Sequence, residues 1–93
     1  MTPASYQAKL RRQLAAAETR WIAARDSIAR AEGPRRYSAA LERARSAGAY
    51  RNDLAARLAA SEAAGACSHV ATDDHTHQCP ACGAVYRRAG GAR

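Results

Sequence analysis

All three cysteines and all three histidines of this 93-residue chain fall within residues 67–82, inside the segment CSHVATDDHTHQCPACG. Few features constrain a small chain more. In Cys79-Pro80-Ala81-Cys82-Gly83 two thiols sit on a tight knuckle, where Pro80 stiffens the first turn and Gly83 can take a positive φ after the second sulfur. Cys67 and His69 supply the other half, since an i,i+2 spacing in an extended segment turns both side chains to one face. Cys67, His69, Cys79 and Cys82 therefore form a Cys3His set suited to a tetrahedral zinc ion, Zn2+. His75 and His77 compete for the nitrogen position, because His77-Gln78-Cys79 has the same spacing.

The alternative chemistries fit less well. A redox CxxC is set between a strand and a helix of a βαβ unit, and nothing here supplies that frame. Catalytic zinc needs an open coordination position and a nearby general base, neither of which is evident, and no HxE partners the CxxC as in zinc deaminases. Asp73, Asp74, His75 and His77 read as a solvated acidic loop rather than a second metal site. The knuckle resembles those of zinc ribbons over about seven residues, which implies a metal and no particular function. The expectation is a protein that is not an enzyme and has no small-molecule substrate.

The preceding residues read as two helices. Leu10, Leu14, Ala17, Trp21, Ala24, Ile28 and Ala31 alternate spacings of four and three, an unbroken heptad seam predicting a helix over about 5–32. Gly33-Pro34 is expected to break it, with a turn at 33–36, Ser38 as the next N-cap and a second helix over 37–64 that stops at Gly65. Its stripe is Tyr37, Leu41, Ala44, Ala47, Gly48, Ala55 and Leu58. The pairs Asp26 to Arg30 and Asp53 to Arg57 add i,i+4 support.

A short connection between helices of similar length predicts an antiparallel coiled-coil hairpin over residues 1–64. With the turn near Gly33-Pro34, the residue facing position i lies near 69 minus i. Trp21 then faces Gly48, Ile28 faces Leu41 and Leu14 faces Ala55. Arg51 interrupts the second stripe, and either snorkels to water or pairs with Glu18. The whole is expected to be mainly α, a two-helix hairpin, then a zinc-knuckle finger at 65–88 and a flexible tail at 89–93.

Size and composition point to external support. The chain has no Phe and one Trp, and much of its 47% hydrophobic content is alanine, which favours helix but buries little area. A domain this small commonly needs a metal or an oligomer. Trp21, Ile22, Tyr50 and Leu54 are expected to need cover from the finger, a second copy or another protein. No apolar run approaches the roughly 18 residues that span a bilayer, so no membrane association is expected and the chain is placed in the cytoplasm.

The formal charge is +7. Residues 1–64 carry 12 basic and 6 acidic groups, a net of +6, whereas residues 65–93 carry 3 and 2, a net of +1. Arg30, Arg35 and Arg36 cluster at the predicted hairpin tip, and Arg11, Arg12, Arg87 and Arg88, with Lys9 and Arg57, gather toward its base. Such clusters can track phosphates, although the same arginine-and-alanine bias also reflects a GC-rich coding sequence. The finger lacks the helix by which a C2H2 finger reads bases, so any nucleic-acid contact is expected to be electrostatic.

A helical hairpin followed by a cysteine finger resembles the layout of DksA/TraR-type regulators, which insert a coiled coil into RNA polymerase and carry a four-cysteine finger. This chain departs from that pattern, with no second CxxC and with a basic tip from Arg30 to Arg36 where that family is acidic. The likeness is one of layout, and that family's function is not carried over. The chain also looks like the small accessory proteins of phages and plasmids. Two functions follow as expectations. One is binding of nucleic acid or a nucleic-acid-associated machine by the arginines, and the other is docking of a protein partner or a second copy on the coiled-coil face.

Overall fold

In a computed structural model, residues 2–88 are described; the expected flexible tail at 89–93 lies outside them. The fold is mainly α. Helix α1 spans Pro3–Arg30, helix α2 spans Gly33–Ala64, and the short strands β1, His77–Gln78, and β2, Val85–Tyr86, pair antiparallel with His77 opposite Tyr86. α1 starts earlier than position 5 because Thr2 caps it, its hydroxyl accepting from the Ser5 backbone N–H at 3.1 Å, and Pro3 occupies the first turn, where its missing N–H costs nothing.

The turn differs from expectation in position and in cause. α1 ends at Arg30, two extended residues follow, and Gly33-Pro34 opens α2 rather than closing α1. Gly33 has a φ of 84°, which reverses the chain, and Pro34 has its φ preset for a first helical turn. The connection is therefore Ala31-Glu32, not 33–36, and Ser38 lies inside α2 rather than capping it. α2 ends as expected at Gly65, with a φ of 71°.

The facing register matches the expected sum of 69 in spite of the earlier turn. Residues 33–39 are exposed, so the first turns of α2 project past the end of α1, and Ala40 is its first buried residue. A Cβ on Gly48 would stand 3.1 Å from Trp21 Nε1, which places the indole against the glycine. Glu18 meets Arg51, Oε1 to Nη2 at 3.2 Å, so Arg51 pairs across the hairpin and also lies over the Trp21 ring at 4.7 Å. Arg25 also lies over the ring, 4.8 Å from its centroid. Of the two expected i,i+4 pairs, Asp53 to Arg57 forms, at 3.0 Å, and Asp26 to Arg30 is not among the ion pairs of the described residues.

The α2 stripe also needs correction. Its buried residues are Ala40, Ala44, Leu54 and Ser61, and with Ala47, Arg51 and Leu58 they make a heptad seam of their own, spaced four and three. Tyr37, placed on that stripe from the sequence, is exposed in the projecting turns. Leu54, expected to lie open, is 2% exposed, packed in one cluster with Tyr6, Leu10 and Ala17. Two helices can enclose little, and the radius of gyration of 18.4 Å, against about 12 Å for a compact chain of this length, reflects a rod of 62 × 27 × 16 Å.

The finger seats on the open end of the rod. Ser61, fully buried, donates from Oγ to the Ala81 carbonyl at 2.6 Å and accepts from Gln7 Nε2 at 3.1 Å. The Tyr6 ring lies flat on Gly83, where an added Cβ would fall 2.8 Å from ring atoms Cδ1 and Cζ. The cover for this end of the hairpin thus comes from within the chain.

Candidate metal centre

The β-hairpin builds half of the site. Cys79 N–H donates to the Ala84 carbonyl at 2.8 Å and Gly83 N–H to the Cys79 carbonyl at 2.7 Å, closing the knuckle; Gly83 has the positive φ, 76°, that its place after the second cysteine predicts. Gln78 Nε2 adds a bond to the Gly83 carbonyl at 3.2 Å. Cys79 and Cys82 are buried, with Ala81 wedged between them against Ser61. The other half, Cys67 and His69, sits on the exposed segment after α2.

The four side chains converge. One ligand atom from each of Cys67, His69, Cys79 and Cys82 lies within 4.8 Å of the other three, and His69 Nε2 is 3.2 Å from Cys82 Sγ. Bonds of about 2.3 Å to sulfur and 2.0 Å to nitrogen at tetrahedral angles require ligand atoms roughly 3.5–3.8 Å apart. The longest separation must shorten by about an ångström and the His69 to Cys82 pair must open slightly, and the two exposed members lie on a segment outside the helices and strands. All three cysteines are free thiols. The group can hold a metal ion.

The sulfurs are not equivalent. Burial pushes the Cys79 thiol up, but backbone N–H groups of Cys82, Ser68 and Ala81 and the Cys82 side chain outweigh it, bringing it down to about 6. Cys67 has no such donors; sharing a proton with the Cys82 sulfur, with some desolvation and the nearby Cys79 sulfur, pushes it up to about 11. Cys79 is the preformed thiolate and Cys67 the one that a metal must deprotonate.

Neither histidine competing for the nitrogen position joins the cluster, and the His77 imidazole has another partner. His77 Nε2 lies 2.8 Å from Asp73 Oδ1, and the same oxygen accepts from the His75 backbone N–H at 3.1 Å. The hydrogen bond from His77 holds the Asp73 carboxyl below the usual range. His69 and His77 both stack on Tyr86, with ring centroids 5.2 and 5.6 Å away. Tyr86 thus fixes the plane of the ligand-position imidazole, a role not evident from the sequence; its place opposite His77 in a two-stranded ladder is the signal that points to it.

The arginines singled out from the sequence divide. Arg11 pairs with Glu62 at 3.0 Å and Arg88 with Asp74 at 2.8 Å. Arg12, Arg30, Arg35, Arg36 and Arg87 have no acid within 4 Å among the described residues. Among the described residues no helix is long and apolar enough to cross a membrane. No protein family, curated protein or solved structure matches the chain.

Proposed function

We propose that this chain is a small non-catalytic zinc-finger protein of the cytoplasm, in which zinc staples the finger and the arginine-rich hairpin binds nucleic acid or a nucleic-acid-associated machine. Three sulfurs and one imidazole are a donor set that favours zinc, and a fourfold closed shell leaves no position for a substrate. Three thiolates and one Zn2+ give the centre a net charge of −1, so the zinc-loaded chain is about +6 and its positive charge lies on the helices. Such a site contributes on the order of 10 kcal/mol to the folding of its segment.

One observation carries the nucleic-acid reading: eight of the eleven helical arginines have no acid within 4 Å among the described residues, only Arg11, Arg51 and Arg57 being paired. Unpaired guanidiniums on a rod are available to a phosphate backbone. The test is the affinity of the zinc-loaded protein for duplex and single-stranded DNA and RNA of arbitrary sequence, across roughly 50 to 300 mM salt. Affinity that falls by orders of magnitude over that range is expected. Absence of binding at low salt would dismiss the reading.

A second reading has its own support in Ile22 and Tyr50, large apolar side chains 52% and 48% exposed on the hairpin. A partner helix or a second copy docked there would make this a protein-interaction module. Its signature is a light-scattering mass above that of one chain that persists in high salt.

A further inference from the structure

At the tip of the hairpin, remote from the metal centre, the end of α1 and the projecting start of α2 flank an open, shallow cavity of about 250 Å3. Arg30 from α1 and Arg36 and Arg43 from α2 line it, together with the small residues Ser27, Ala31 and Ala40. The three arginines lack an acid within 4 Å among the described residues, although Asp26, Glu32 and Glu42 are their neighbours in sequence, and none of those acids lines the cavity. Elsewhere the same protein does pair its arginines, at 2.8 to 3.2 Å in Arg11, Arg51, Arg57 and Arg88. The first turn of α2 also carries no acid. The negative end of one helix dipole and the positive end of the other meet here and offset each other, so the guanidiniums set the sign of the field.

We infer that this cavity is a phosphate-group site with Arg30, Arg36 and Arg43 as its donors. It rests on the nucleic-acid reading of the hairpin and gives that reading a location. Guanidinium forks match phosphate oxygens in pairs, and three of them from two helices can share one tetrahedral anion. The volume falls below the roughly 300–1,000 Å3 of pockets that enclose a whole small ligand, so it suits one group on a larger molecule. Arg43 lies nearly three turns into α2, one heptad after Arg36 and so on the same face, and the packing of α2 against α1 brings Arg30 to them. The phosphate chemistry has two sources, a nucleic-acid backbone or a free phosphate ester, and the first is favoured because the neighbouring Arg35 is exposed and can meet the next phosphate.

The experiment uses the zinc-loaded full chain and a variant carrying Arg30→Ala, Arg36→Ala and Arg43→Ala, whose exposed positions leave the helical signal intact. In the first arm, pyrophosphate is titrated while backbone and arginine side-chain NMR signals are followed. Saturable shifts confined to residues 27–43 and lost in the variant are expected; shifts that never saturate, or that persist in the variant, overturn the site. In the second arm the salt dependence of duplex binding is compared. Three arginines on one phosphate predict a loss of about 0.9 in the slope of log affinity against log salt for the triple variant. A loss of about 2.7, built up additively by the single variants, means three independent phosphate contacts and overturns the shared site while leaving nucleic-acid binding intact. Duplex that does not bind, with pyrophosphate that does, removes the function proposed above and assigns the cavity to a free phosphate ester. Equal saturation by a poly-glutamate peptide overturns the inference in favour of an acidic protein segment.

Discussion

Gly48 is where a single residue sets the approach of the two helices. Its Cα faces the Trp21 indole, and a Cβ would sit 3.1 Å from Nε1 and 3.4 Å from Cδ1, tight enough that the ring must give by a few tenths of an ångström. Alanine at a helix interior gains up to about 1 kcal/mol over glycine, which offsets such crowding, whereas leucine forces the helices apart at a cost of roughly 1–3 kcal/mol. Gly48→Ala is expected to leave the urea midpoint nearly unchanged and Gly48→Leu to lower it clearly. At the metal centre the ionisation of the sulfurs predicts a pH dependence. Protons compete with metal, so affinity falls as pH falls. Cys67, raised to about 11, must give up its proton throughout the neutral range, and Cys79, lowered to about 6, adds another below that value. Competition with a chromophoric chelator should show zinc affinity dropping at least tenfold per pH unit, and more steeply below about pH 6. A flat profile would contradict the assignment of thiolate ligands.

Among elements, the junction of α2 with the finger has the most specific chemistry. Ser61 lies on the α2 seam, yet it spends its hydroxyl on the Ala81 carbonyl between the two knuckle cysteines. Ser61→Ala leaves that buried carbonyl without its donor, a loss of about 1–3 kcal/mol. The zinc ligands are untouched, so the variant is expected to keep its metal stoichiometry while the finger amides, Ala81 and Gly83 foremost, exchange hydrogen faster. Unchanged exchange would mean that the Tyr6 ring on Gly83 holds the finger by itself. The tip is the opposite kind of element. Its turn has no side-chain cap, its first α2 turns are exposed, and Arg30, Arg36 and Arg43 line one open cavity, all of which fits a surface shaped for a ligand rather than for stability.

At the scale of the molecule, the rod depends on its end. Among the described residues, the hairpin's buried apolar cluster, Tyr6, Leu10, Ala17 and Leu54 with Leu14 and Leu58 beside it, lies toward the end that the finger closes. Stripping zinc is therefore expected to unfold residues 65–88 and also to lower the thermal midpoint of the helices, which keep their far-UV signal when cold. Circular dichroism melts with and without chelator measure this. A midpoint that does not move would show that the hairpin stands without the finger.

Much of this was legible in the residues. The clustering of Cys67, His69, Cys79 and Cys82 and the positive φ at Gly83 follow from spacing and local backbone chemistry, which act within a few bonds. The helical seam of α1 and the Trp21 to Gly48 and Glu18 to Arg51 registers follow from the heptad period. The turn did not, because Gly-Pro can end one helix or begin the next, and only the packing of α2 against α1 from Ala40 onward selects between them. The second seam was hidden by its polar members, Arg51 and Ser61, which are tolerated there by partners 33 and 20 residues away. His69 rather than His77 stands among the sulfurs, and His77 is paired with Asp73 instead. Period puts Leu54 on the α2 seam and Arg36 and Arg43 on one face of the helix, but which apolar residues cover Leu54 and that Arg30 meets the two arginines depend on the packing of α2 against α1. The seat of the finger on Tyr6 belongs to the tertiary structure alone, since it joins segments with no periodic relation along the chain.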